Sequence, residues 1–227
     1  MSVPFSRMLA AVGLLGFSLG SAQADSSVVL YGLADAGPMH RQYTFRQGGT
    51  DVRQSSNGLA SGVMNSSRLG VKGSEDLGRG LSAIFNLEQK VDLGDGAGGN
   101  WKRQAWVGLS SKRWGTITLG RQKEVADKMF KIQTTRGLGK ASRAFGGAGG
   151  RHDALIKYLS PQFGGVRGGV AYARGTRGDD YRHFWSLGAQ YANGPVLVGG
   201  GYDIDRLRAG YSVRNWALGG SYDFKGV

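Results

Sequence analysis

Between positions 80 and 91 the chain reads GLSAIFNLEQKV. Leu81, Ala83, Phe85 and Leu87 occupy one parity, Ser82, Asn86, Glu88 and Lys90 the other, and only Ile84 breaks the alternation. The same period of two returns in FWSLGAQYA, where Trp185, Leu187, Ala189 and Tyr191 alternate with Ser186, Gly188 and Gln190. It returns again in NWALGGSYDF, where Trp216, Leu218, Tyr222 and Phe224 oppose Asn215, Ala217, Gly219, Ser221 and Asp223. Successive side chains of a strand point to opposite faces, so each stretch reads as a strand with one apolar and one polar face. Ten such segments are expected, at 28–37, 65–74, 80–91, 101–111, 115–121, 154–160, 165–174, 181–192, 195–203 and 215–224. Most approach the roughly 9 to 11 residues that a tilted strand needs to cross a bilayer.

The connectors alternate in length. EDLGRG at 75–80, SKRWG at 111–115, SPQFGG at 160–165 and ANGP at 192–195 read as tight turns. Between them lie longer connectors at 39–62, 92–100, 122–153 and 175–180, all expected to be loops. Short turns at one end and long loops at the other are the asymmetry of a transmembrane barrel.

A soluble sandwich would turn its apolar parity inward. Two features reverse that orientation. Tyr31, Trp101, Trp114, Tyr172, Trp185, Tyr191, Tyr202, Trp216, Tyr222 and Phe224 stand near segment ends, where interfacial aromatic girdles belong. The other parity carries Arg68, Lys72, Glu88 and Lys90, which demands a wet interior. The expected fold is therefore all-β, with grease facing lipid and charge facing water.

Composition supports export. Arg7, the apolar run LAAVGLLGFSLG and the small-x-small Ala22-Gln23-Ala24 read as a signal peptide over residues 1–24, leaving 25–227 as the barrel domain. The run is too short to span a bilayer as a helix. The chain has no cysteine, so disulfides are not what holds it together outside the cell. Its 41 glycines argue against a helical architecture, since each interior glycine costs a helix about 1 kcal/mol relative to alanine. With 29 Lys and Arg against 16 Asp and Glu the net charge is +13. Such a surplus suits nucleic acid or an anionic membrane, and export excludes nucleic acid as a partner.

Four blocks in order, VVLYGLADAG, SRLGVKGSEDLGRGLSAIFNLE, RQAWVGLSSKRWGTITLGRQ and DALIKYLSPQFGGVRGGVAYA, resemble the Gram-negative general diffusion porins. The resemblance runs over 27–224, and its second block is the most specific. It implies a transmembrane antiparallel β-barrel of porin type in the outer membrane. A homotrimer is implied, surrounded by lipid and lipopolysaccharide and passing small hydrophilic solutes and ions. It further implies that the third external loop folds into the barrel and faces an arginine cluster on the wall. By motif, that wall is expected to comprise Arg68, Arg103, Arg121 and Arg151, joined by Lys72 on the parity of Arg68. The constriction loop is expected to contribute Glu124, Asp127, Lys128, Lys131, Arg136 and Lys140.

The chain departs from the family pattern twice. Between 122 and 150 only Glu124 and Asp127 are acidic, against Lys123, Lys128, Lys131, Arg136, Lys140 and Arg143. The constriction should then be less a transverse dipole than a positive ring, which favours inorganic anions. The second departure is length. Sixteen strands at about 20 residues each need roughly 320 residues, so about ten strands of the expected sixteen are present. The barrel domain is expected to be incomplete at its C-terminus, with a narrower ten-stranded barrel as the alternative.

Other chemistries find little support. His40, His152 and His183 lie in no nucleophile-elbow or zinc-helix motif, and adjacent His152 and Asp153 should face opposite ways. No catalytic residue, metal site or cofactor is expected. GGAGG at 146–150 lacks the Lys-Ser/Thr end of a phosphate loop and reads as a flexible apex. The alternatives to a conducting channel are a plugged structural or adhesive barrel and a non-functional truncated fragment.

Overall fold

The computed structural model describes residues 26–125, 150–175 and 181–224; the leader at 1–24 lies outside the described residues. Twelve strands follow in order: β1 Ser27–Leu33, β2 Ala36–Gln47, β3 Thr50–Ser61, β4 Arg68–Gly78, β5 Leu81–Lys90, β6 Gln104–Ser111, β7 Gly115–Lys123, β8 Arg151–Leu159, β9 Val166–Arg174, β10 Tyr181–Asn193, β11 Val196–Leu207 and β12 Ser212–Tyr222. Ten of them form one sheet in the order β1-β4-β5-β6-β7-β8-β9-β10-β11-β12, with β1 and β12 at its edges. Every neighbouring pair is antiparallel. Among the described residues no helix is long and apolar enough to cross a membrane.

These ten strands correspond to the ten alternating segments. The connector at 39–62, expected to be a loop, is corrected: most of it is the separate hairpin β2-β3. Gly48 and Gly49 both take positive φ, 59° and 87°, which makes the two-residue turn that best matches strand twist. Period two gave no signal here because nearly the whole hairpin is exposed, so neither parity had to be apolar. Asp35 holds its base. Its carboxylate accepts the amides of Val63, Met64 and Asn65, at 2.9, 3.1 and 2.7 Å, and its own amide donates to the buried Ser67 hydroxyl at 2.9 Å.

Register turns the parities of separate strands into two continuous faces. One cross-strand row reads Gly73, Phe85, Val107, Leu119, Ile156, Tyr172, Trp185 and Ile204, ending at Arg214. Its large apolar members are half-exposed, with Trp185 at 47%, and Trp216 one row away reaches 77%. A contiguous apolar surface of this extent is what a barrel shows to lipid. The opposite face, here the inner one, carries Lys72, Asn86 and Trp106 in one row and Lys157, Ala171, Ser186, Asp203 and Asn215 in another. The small buried cluster of Val125, Leu155, Leu159, Ala171, Ala173 and Phe184 lies on this inner face.

Tyr31 is a second correction. It was expected in an aromatic girdle, but its ring lies inward across Gly70, where a Cβ would meet it at 2.5 Å. Its hydroxyl instead bridges Asn86 and Glu88, each at 2.9 Å.

Candidate functional site

Glu88 stands at the polar parity of β5, near the strand end that leads into a long connector. It is only 5% exposed, so an unpaired carboxylate there would carry a heavy desolvation penalty. Three groups offset it. Arg103 donates from Nε to Oε1 at 2.6 Å, Arg68 places Nε 4.0 Å from Oε2, and the Tyr31 hydroxyl donates to Oε2. Charge-assisted bonds of this length are among the stronger ones a protein makes.

Around this hub the inner face forms a recess of about 320 Å³, whose charged lining is Arg68, Glu88, Arg103, Lys123, Arg151 and Lys157. Among the described residues that line it, five are thus cationic and one is a carboxylate. Lys157 is 3% exposed and donates to the Lys123 carbonyl at 2.8 Å, which fixes its ammonium group in the wall. Gln122 is held by the Thr118 hydroxyl at 2.8 Å and donates to the Leu155 carbonyl at 3.1 Å. Low-dielectric walls lined with one sign of charge focus a field into the space they enclose.

After β7 the chain turns onto the inner face. Val125 is fully buried against the wall, and its amide donates to the Ser186 hydroxyl on β10 at 3.1 Å. Glu124, 2% exposed, accepts the Gly150 amide at 3.0 Å and lies 3.5 Å from His152 Nε2, so it ties together both ends of the connector. His152 in turn stacks on Phe184 with ring centroids 3.5 Å apart.

The structure brings Arg68, Arg103 and Arg151 together in the recess. Lys72 shares their face but stands apart, exposed, with Nζ 5.6 Å above the Tyr31 ring. Arg121 is a correction to the expected wall. It pairs in register with Ala105, on the outward parity of Val107 and Leu119, and donates to Asp153 at 2.7 Å. The reason is parity together with a register shift between Gly120 and Gln122, opposite Ala154 at φ 49°. Glu124 is at the connector's neck, beside Gly150 and His152. Asp127, Lys128, Lys131, Arg136 and Lys140 lie outside the described residues.

Three participants were not among the expected site residues. Glu88 was visible as a charge on the wet parity of β5. Lys123 sits at the end of β7, where parity relaxes. Lys157 was hidden because its inward neighbours on β8, Leu155 and Leu159, are apolar and pack beneath the incoming Val125.

Comparison with known proteins gives a consistent picture. A family model described as Gram-negative porin matches residues 10–227. An outer membrane porin protein of Bordetella pertussis is 34% identical, over 97% of this chain and 66% of the relative. Outer membrane porin protein 32 of Delftia acidovorans is 32% identical, over 96% of this chain and 66% of the relative. A solved structure, the anion-selective porin from Comamonas acidovorans, matches with a TM-score of 0.69 at 28% identity, covering 88% of this chain and 65% of that one. The chain thus spans about 66% of the length of these curated relatives. By the family match, and with an apolar outward wall and a charged inner one, this chain belongs to the Gram-negative porins of the outer membrane.

Proposed function

We propose that the chain builds the wall of a water-filled channel through which small hydrophilic solutes and inorganic ions diffuse passively, with anions preferred. The observation that carries this reading is the inner recess, whose described charged lining is five cationic side chains and the carboxylate of Glu88. An anion entering it exchanges part of its hydration for guanidinium and ammonium groups already fixed in place. Asp127, Lys128, Lys131, Arg136 and Lys140 belong to the constriction loop in this reading, and the inward start of that connector at Glu124 and Val125 supports it. The relative described as an anion-selective porin supports the preference by analogy. Diffusion requires fixed charge and water rather than bond chemistry, so the reading assigns no catalytic residue and no cofactor.

Planar bilayers under a KCl gradient test it. The reversal potential should take the sign of chloride preference, and Arg103→Gln should reduce it; a cation-selective sign refutes the proposal. Assembly as a homotrimer within outer-membrane lipid and lipopolysaccharide is part of the same reading and predicts closures in three equal sub-steps. Insertion without current would favour a plugged, structural barrel. Export is part of it too: mass spectrometry of the protein recovered from outer membranes should find Asp25 as the first residue, and a retained leader would contradict cleavage after Ala24.

A further inference from the structure

Two side chains of the inner wall take no part in its charge network. The inner parity of β5 and β6 carries Ser82, Ile84, Asn86 and Glu88, then Gln104, Trp106, Gly108 and Ser110, so Ile84 and Trp106 are its large apolar members. Both are half-buried, and neither belongs to the buried cluster around Phe184. Both line the recess of about 320 Å³ that holds the arginines. Trp106 is fixed by its edge, since its Nε1 donates to Gln104 Oε1 at 2.9 Å. Its register neighbours are Asn86 and Gly120, the second without a side chain. Among the described residues no other ring packs against it.

The recess changes character along the strand direction. Glu88 and Gln104 share one register row, Asn86 and Trp106 the next, and Ile84 and Thr118 the one after. Successive inward rows are two residues apart, about 6.6 Å along a strand. At the first row Arg103 spends its Nε on Glu88, and among the described residues its two terminal nitrogens have no partner. Arg68 reaches Glu88 only at 4.0 Å. One carboxylate thus leaves guanidinium donors open, because each fork carries five N–H groups. Lys157 belongs to the row of Ile84, yet its ammonium group reaches the Lys123 carbonyl at 2.8 Å, towards the arginine end. Charge is gathered at one end and apolar surface at the other.

We infer that the recess is a subsite for small aromatic monocarboxylates, with the carboxylate at Arg103 and Arg68 and the ring against Trp106 and Ile84. Guanidinium forks match carboxylate oxygens in pairs. A planar ring stacks on a fixed indole and gains more than the area it buries. The spacing of about 6.6 Å between the arginine row and the Trp106 row matches a six-membered ring that bears a carboxylate. An inorganic anion uses only the charged end. A second carboxylate on the solute would fall among Trp106, Ile84 and Thr118, where the ammonium group of Lys157 is turned away. Trp106 is therefore the residue that sets this preference. The inference rests on the channel reading above and goes beyond it, since a preference for chloride requires neither Trp106 nor Ile84.

The test titrates the full chain in neutral detergent micelles with benzoate, with acetate and with benzyl alcohol, read by calorimetry. Benzoate should bind about tenfold more tightly than acetate, the scale of one aromatic contact with its buried area, and benzyl alcohol should bind more weakly than benzoate. Trp106→Ala should bring benzoate down to the affinity of acetate, which it leaves unchanged, and Trp106→Phe should restore most of the difference. Trp185→Ala, on the lipid-facing parity, should keep the full preference. Equal binding of benzoate and acetate by the wild-type chain overturns the proposal, with no dependence on a variant folding. So does benzyl alcohol binding as tightly as benzoate, or a Trp106→Ala chain that keeps the preference. The assay reads no current. A chain that binds benzoate but shows a cation-selective reversal potential fails the anion reading alone, and a chloride-selective chain that treats benzoate as acetate fails this inference alone.

Discussion

Replacing Phe184 by alanine is expected to lower the stability of the folded chain by about 3 kcal/mol, since buried Phe→Ala changes commonly cost 3 to 5. Phe184 is 1% exposed in the cluster of buried apolar side chains on the inner face. Removing its ring leaves a cavity beside Leu155, Ala171 and Ala173, and it removes the stacking partner of His152. His152 is the neighbour of Glu124, so the neck of the inward connector loosens as well. The measurement is the urea midpoint of the refolded chain in micelles, compared with Trp185→Ala on the same strand. Trp185 is 47% exposed on the lipid-facing parity, and its loss exchanges ring contacts for detergent contacts rather than for a void. Equal shifts for the two variants would show that no packed inner cluster exists and would remove the basis for the inward turn.

Replacing Glu88 by glutamine should move stability and selectivity in opposite senses. The amide keeps the shape and one acceptor but removes the carboxylate that, among the described residues, lines the recess with Arg68, Arg103, Lys123, Arg151 and Lys157. Arg103, whose side chain is 14% exposed, loses the partner that compensates its desolvation. Breaking a fully buried pair costs about 3 to 5 kcal/mol, and the opening of this recess to water reduces the expectation to about 1 to 3. The deficit should shrink as salt rises, because what replaces the pair is repulsion between screened cations. At the same time each passing anion meets one more uncompensated charge, so the reversal potential under a KCl gradient should move further towards that of chloride. A shift towards potassium, or a stability loss that salt leaves unchanged, would mean that Glu88 is not the electrostatic hub of the recess.

Particular residues show how far the fold was legible. The alternation of Leu81, Ala83, Phe85 and Leu87 against Ser82, Asn86, Glu88 and Lys90 is a local statement, and the structure keeps it intact across β5. The same holds for Trp185 and Leu187 on β10 and for Trp216 and Leu218 on β12. Tyr31 shows the limit. Nearness to a segment end is not the same as facing lipid, and the ring turned inward because Gly70 opposite it leaves room and Glu88 needs a donor. Arg121 shows the converse. Its parity with Ile117 and Leu119 was readable, yet matching by motif placed it on the wrong face.

What the sequence determined by itself is therefore the set of ten strands and which parity of most of them is apolar. Both follow from backbone geometry, since a pleated chain must present alternate side chains to opposite faces wherever it is extended. What only the tertiary structure decided is everything that depends on which strand lies beside which. The register sets Glu88 against Arg68 and Arg103, the shift at Gly120 gives Arg121 to Asp153, and the turn after β7 buries Val125 against β8–β10. Period two carries no information about such partners. Charge pairing and burial act between residues brought together by the sheet, and their energies exist only once its register is formed.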